Sequence, residues 1–183
     1  MPPRVTTHSG TEVRTRSGPV HIAICGSRAP DTDAVVIDAV VRCLARLVMS
    51  RGYKVSHGPV GVGIEVMTYI ADQYRPPDIT LAIGLFGHRH VVQGAEFVIV
   101  LGGAAGTQTE IDLAHSLGKK IIVLPASGGR ARRFYQQAIR DQRLCSWMTH
   151  EHFASLNACE DSAEDFVRIV EQLIHDHHGA PCD

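Results

Sequence analysis

The chain has 183 residues, 44% of them hydrophobic and 20% charged, with a formal net charge of -1, the balance expected of one soluble globular domain. Such a charge gives no electrostatic case for nucleic acid, which requires a concentrated basic face, and no apolar stretch reaches the roughly 20 residues of a membrane span. The five cysteines, Cys25, Cys43, Cys145, Cys159 and Cys182, form no CxxC pair, so neither a disulfide framework nor a cysteine zinc site is expected, and a cytoplasmic location is.

Residues 1–18 hold charges and small polar side chains without an apolar h-region. They read as a flexible arm, not as a secretory signal. The domain is expected over 19–178, with 179–183 as a disordered C-terminus. His21-Ile22-Ala23-Ile24-Cys25 predicts strand one, stopped by Gly26-Ser27-Arg28-Ala29-Pro30. Asp31, Thr32 and Asp33 offer N-caps for a helix whose apolar face is Val36, Ile37, Val40, Leu44, Leu47 and Val48, ended by Arg51-Gly52. Strand two is Tyr53 to Ser56, followed by His57-Gly58-Pro59-Val60-Gly61-Val62-Gly63 and a helix from Ile64 to Tyr74. Ile79 to Ile83 predicts strand three. Leu85 to Gln93 reads as irregular, with Arg89 leading into a short helix before strand four, Phe97 to Leu101.

A third glycine turn, Gly102-Gly103-Ala104-Ala105-Gly106, then opens a helix through Ile111, Leu113, Ala114 and Leu117, closed by Gly118. Strand five is Lys120 to Leu124, cut off by Pro125-Ala126-Ser127-Gly128-Gly129. A basic helix from Arg130 to Arg143 follows, and a last amphipathic helix starts at Glu160-Asp161-Ser162. Continuous apolar strands alternating with helices predict a three-layer, doubly wound, Rossmann-like parallel sheet in one α/β domain. In such sheets ligands lie beyond the carboxyl ends of the strands. Four glycine loops leave those ends, after Cys25, Ser56, Leu101 and Leu124, and glycine there admits a ligand close to the backbone.

The stretch from Gly102 to Glu110 is the centre of this pattern. A helix N-terminus directs unpaired N–H groups and a positive partial charge at the mouth of the sheet. Thr107 is placed to cap that helix or to donate to a phosphate or ribose, and Glu110 to reach a sugar diol or to close a capping box. The dinucleotide GxGxxG spacing is absent, strand two ends without an acidic residue, and GxxxxGK[ST] is absent, which argues against an ATPase.

Together, Gly26-Ser27-Arg28, Gly58-Pro59-Val60-Gly61-Val62-Gly63 and Gly102-Gly103-x-x-Gly106-Thr107-x-x-Glu110 resemble the SLOG superfamily. That superfamily groups the LOG (lonely-guy) nucleotide hydrolases with DprA-like and TRPM-type ligand-binding domains. The segment Gly52 to Gly63 and the turn Pro125 to Gly129 are most similar to SLOG domains associated with sirtuin-like and TIR effectors of bacterial anti-phage, Thoeris-type systems. The resemblance implies a sensor for a cyclic or variant ADP-ribose signal, a homodimer or higher homo-oligomer, and a separate effector protein. Two departures stand out. LOG hydrolases carry a proline-led PGGxGTxxE, where this chain has Leu101 and one extra residue, Ala104 or Ala105. Their PRxxxM arginine has its nearest counterpart here in Arg89.

The expected ligand-binding residues are Gly26, Ser27, Arg28, Gly58, Gly61, Gly63, Arg89, Gly102, Gly103, Gly106, Thr107, Glu110, Ser127 and Gly128. If the chain is instead a nucleoside 5′-monophosphate phosphoribohydrolase, an N-glycosidase releasing free base and ribose 5-phosphate, then Glu110 and Arg89 are its catalytic candidates. A carboxylate near the anomeric carbon would stabilise an oxocarbenium-like centre or activate water, and a guanidinium would pair with phosphate. Arg130, Arg132 and Arg133 sit at a helix start, against the preference of its dipole, and read either as a solvated charge run or as a partner for an anion. The clusters His88-x-His90, His150-Glu151-His152 and His175 to His178 lack metal-ligand spacing, so neither a metal nor a cofactor is expected. Cys25 has no identifiable paired base.

Overall fold

The computed structural model describes residues 18–76, 82–84, 86–159 and 162–179. The expected arm over 1–18 therefore lies outside the described residues apart from Gly18, and the expected C-terminal tail over 179–183 lies outside them apart from Gly179. Five strands form one sheet: β1 (His21–Ser27), β2 (Lys54–His57), β3 (Ala82–Gly84), β4 (Phe97–Gly102) and β5 (Lys120–Leu124). Their order is β3-β2-β1-β4-β5, with every pair parallel. The strand order reverses direction between β1 and β4, where Cys25 lies opposite Val100 and Ser27 opposite Gly102.

The helices are α1 (Ala34–Arg51), α2 (Val62–Tyr74), α3 (His88–Gln93), α4 (Ala105–Ser116), α5 (Gly129–Arg140), α6 (His150–Asn157) and α7 (Ala163–His177). Asp33 caps α1 by accepting from the N–H groups of Val35 and Val36, and Gly52 closes it in the left-handed conformation. Its predicted apolar stripe faces the sheet, with Ile37, Val40, Leu44, Leu47 and Val48 buried. Because right-handed crossovers place α1 and α4 on opposite faces, α1 packs with α2 and α7 while α3 packs with α4. The core lies between these layers. Ile22, Ile24, Phe97 to Leu101 and Ile121 to Leu124 are almost wholly buried, as expected for parallel strands covered on both faces.

The differences from the sequence expectations are local. Strand two runs one residue further, through His57, and α2 begins at Val62 because Gly61 already serves as its N-cap. Part of the predicted third strand, residues 79–81, lies outside the described residues, while Ala82 to Gly84 pair with β2. The short helix expected at Arg89 is α3, which starts one residue earlier, at His88, and is anchored by the buried Val91 and Val92. The basic helix stops at Arg140, and a tight 3-10 turn, Gln142–Cys145, leads on to α6.

Candidate functional site

Parallel strands bring the four glycine loops to one edge, and there they pack on one another. Gly26 has φ +134, and a Cβ at that position would overlap the carbonyl oxygen of Leu101; one on Gly61, at φ +96, would overlap the carbonyl of Gly26. Side chains are excluded from both positions by backbone, so the first role of these glycines is to let loops touch. Gly63 likewise faces the Ile24 carbonyl, Gly102 the Ser27 carbonyl and Gly128 the Asp31 carbonyl. Hydrogen bonds then tie the loops together. Gly103 N–H donates to the Ser27 carbonyl at 2.8 Å and Ala104 N–H to Ser27 Oγ at 3.2 Å. Gly102 N–H donates to Ser127 Oγ at 2.7 Å, and Asp33 N–H to the Ser127 carbonyl at 3.1 Å. The convergence expected from the sequence is present.

Helix caps divide around this crevice. Asp33, Thr149 and Ser162 cap α1, α6 and α7 with side-chain oxygens. By contrast α2 starts after Gly61, α3 after Gly87, α4 after Ala104 and α5 after Gly128, with no side-chain cap bond in any of them. The first-turn N–H groups of α2 and α4 therefore face the crevice without an intrahelical acceptor. The expectation that Thr107 caps α4 is corrected. The helix starts at Ala105, with Ala104 as N-cap, which makes Thr107 its third residue, packed back against Gly103. Glu110 is the sixth, too far along to close a capping box. Thr107 is only 4% exposed, and its hydroxyl has no hydrogen-bond partner among the described residues.

Glu110 is 8% exposed. His88, the first residue of α3, holds its Nδ1 3.2 Å from Glu110 Oε1, and its ring also lies against Gly106. The thiol of Cys25, at the carboxyl end of β1, faces the same carboxylate. Burial first, and then Glu110, push that thiol well above its ordinary value, so Cys25 is a neutral neighbour and not a thiolate nucleophile. Sequence reasoning had no signal for either contact, because each joins residues distant in the chain. Arg89 is exposed on α3, one residue past His88, with no partner among the described residues.

Other expected residues are already engaged. Arg28 bonds Asp38 at 2.6 Å and Glu65 at 2.7 Å, tying loop one to α1 and α2. The Ser127 hydroxyl accepts from Gly102 and donates to the Leu124 carbonyl at 2.6 Å. The Gly58 carbonyl pairs with His57 Nδ1 at 2.7 Å. Arg133 pairs with Asp31, and Arg132 donates to the Pro125 carbonyl. Arg130 differs. Its N–H donates to the Gly103 carbonyl, and its guanidinium reaches only the neutral amide of Gln108, at 3.5 Å.

A cavity of about 550 Å³ lies elsewhere, beside the starts of β1 and β2, lined by Val20, Arg51, Tyr53, Arg168, Glu171 and His175 among others. Its charged groups pair locally: Arg51 with Glu171, Arg168 with Asp165 and His178 with Glu96. The loop crevice, with unsatisfied donors and a buried carboxylate, is chemically the stronger candidate. Among the described residues no three His, Cys, Asp or Glu side chains gather as a metal site, and no helix is long and apolar enough to cross a membrane.

The model of the SLOG cluster4 family matches residues 32–154. No curated protein matches the sequence. Among solved structures, the molybdenum cofactor carrier protein of Chlamydomonas reinhardtii superposes with a TM-score of 0.58 at 16% identity, over 86% of this chain and 99% of that one. A structural-genomics target, TM1055, does so with a TM-score of 0.54 at 20% identity, over 84% and 99%. At these identities the structures share the fold.

Proposed function

Because the chain belongs to the SLOG cluster4 family and has a Rossmann-like fold suited to nucleotides, we propose that it binds an ADP-ribose-derived, cyclic ADP-ribose-like signalling nucleotide in anti-phage defence. The observation that carries this reading is the uncapped start of α4 at the point where strand order reverses, with the uncapped start of α2 next to it, where Gly61 packs on Gly26. Their N–H groups suit the phosphates of such a ligand. Thr107 and Glu110 supply a hydroxyl and a carboxylate on the same helix for the ribose. In this reading the chain is a cytoplasmic homodimer or larger homo-oligomer, and it acts through a separate effector protein. Calorimetry with cyclic ADP-ribose isomers, ADP-ribose and NAD tests it: binding of at least one is expected, and no heat with any of them ends the proposal.

A second reading rests on Glu110 itself. A carboxylate this buried, with His88 beside it, is also what an N-glycosidase needs to activate water or to stabilise an oxocarbenium-like centre. Incubation with AMP and CMP, followed by chromatography for free base, separates the two. Base release abolished by Glu110→Gln supports hydrolysis, and no release retires it.

A further inference from the structure

We infer that Arg130 is the side chain that neutralises the phosphate over the start of α4, and that it makes the site select phosphorylated ligands over the corresponding nucleosides. This rests on the nucleotide-binding reading above and adds to it the group that recognises charge.

Three observations converge. The first turn of α4 has no side-chain cap, so its donors lack acceptors. Thr107, on that turn, is only 4% exposed, and its hydroxyl is unpartnered among the described residues without being one of the sealed unsatisfied atoms, which are His21 Nε2 and Trp147 Nε1; it stays open to a ligand. Arg130 is fixed beside this turn by its own backbone, since its N–H donates at 3.1 Å to the carbonyl of Gly103, the residue against which Thr107 packs.

The guanidinium is half-buried and makes no ion pair among the described residues; its single contact is the 3.5 Å approach to Gln108 Oε1, at the edge of hydrogen-bond range. The neighbouring Arg133 is exposed and paired with Asp31, and Arg28 across the crevice is held by two carboxylates. A phosphate above Gly103 would thus meet backbone N–H groups, the Thr107 hydroxyl and one uncommitted planar cation, the group suited to bidentate phosphate contact. An uncharged nucleoside gains nothing from that cation.

The test is calorimetric titration of the whole chain with AMP, ribose 5-phosphate and adenosine at low salt. The native chain is expected to bind AMP and ribose 5-phosphate more tightly than adenosine. Arg130→Gln is expected to weaken both phosphorylated ligands tenfold or more while leaving adenosine unchanged, and Arg130→Lys to recover part of the loss. Arg133→Gln serves as the charge control and is expected to bind like the native chain. AMP affinity in Arg130→Gln within twofold of native overturns the inference and leaves nucleotide binding standing; so does native affinity for adenosine equal to that for AMP. Failure of the native chain to bind AMP, ribose 5-phosphate or any ADP-ribose derivative overturns this inference and the reading beneath it together. Circular dichroism of both Arg130 variants is expected to match the native spectrum, because the helix-anchoring bond is made by the backbone.

Discussion

The two edges of the sheet differ in how far their charged groups are committed to partners. At the amino edge charged groups are matched at close range: Glu96 accepts from Lys120 at 3.2 Å and from Gly179 N–H at 2.7 Å, and lies 2.7 Å from His178 Nδ1. Lys120 also donates to the His177 carbonyl and sits over the Phe97 ring. At the carboxyl edge α2, α3, α4 and α5 start without side-chain caps, the Thr107 hydroxyl is unpartnered among the described residues, and the Arg130 guanidinium meets no carboxylate there. The charges of the amino edge serve the fold, although the buried His21 Nε2 there has no hydrogen-bond partner among the described residues, and at the carboxyl edge the Arg130 guanidinium and the helix starts keep donors that suit a ligand.

The largest expected effect breaks the carboxyl edge by geometry alone. Gly26→Ala puts a Cβ into the Leu101 carbonyl at a left-handed φ and should cost at least about 3 kcal/mol, read as a lower urea midpoint. Second is the amino edge. Burial alone would raise the Glu96 carboxyl, but the Gly179 N–H, His178 and Lys120 together hold it below its ordinary value. A carboxylate lowered in the fold contributes stability that is full above the unfolded value, about 4.3, and is lost as pH falls through the folded one. Glu96→Gln should therefore cost roughly 2–4 kcal/mol at neutral pH and flatten the acid limb of the stability curve. A variant with that limb intact would show that another group carries it.

Smaller effects sharpen the contrast. Thr107→Val removes a hydroxyl that bonds nothing, so stability should change by less than about 0.5 kcal/mol while nucleotide affinity falls about five- to tenfold. Equal affinity would show that the hydroxyl faces no ligand. Arg28→Gln, which breaks partly exposed ion pairs, should cost only about 0.5–1 kcal/mol, measured by thermal unfolding.

The strands, α1 and the edge where the loops gather were legible because they rest on apolar runs and on glycines next to them. Asp33 and Gly52 sit where capping chemistry puts them. What escaped the sequence is relational. Helix α4 starts at Ala105, two residues ahead of the expected cap, so Thr107 is its third residue. Arg28 is equally plausible as a phosphate ligand until Asp38 and Glu65 are seen beside it. The approach of His88 and Cys25 to Glu110 joins three elements whose spacing in the chain carries no periodic signal.

The middle position of β1 has a kinetic corollary. It is flanked by β2 on one side and by the distant β4 on the other, so neither half of the polypeptide can assemble the crevice by itself. A bound nucleotide would then protect the amides of Ile24 and Ile99 from hydrogen exchange by making whole-molecule opening rarer, and docking of β4 onto β1, the pairing of longest sequence separation in the sheet, has to be complete before any ligand can be recognised.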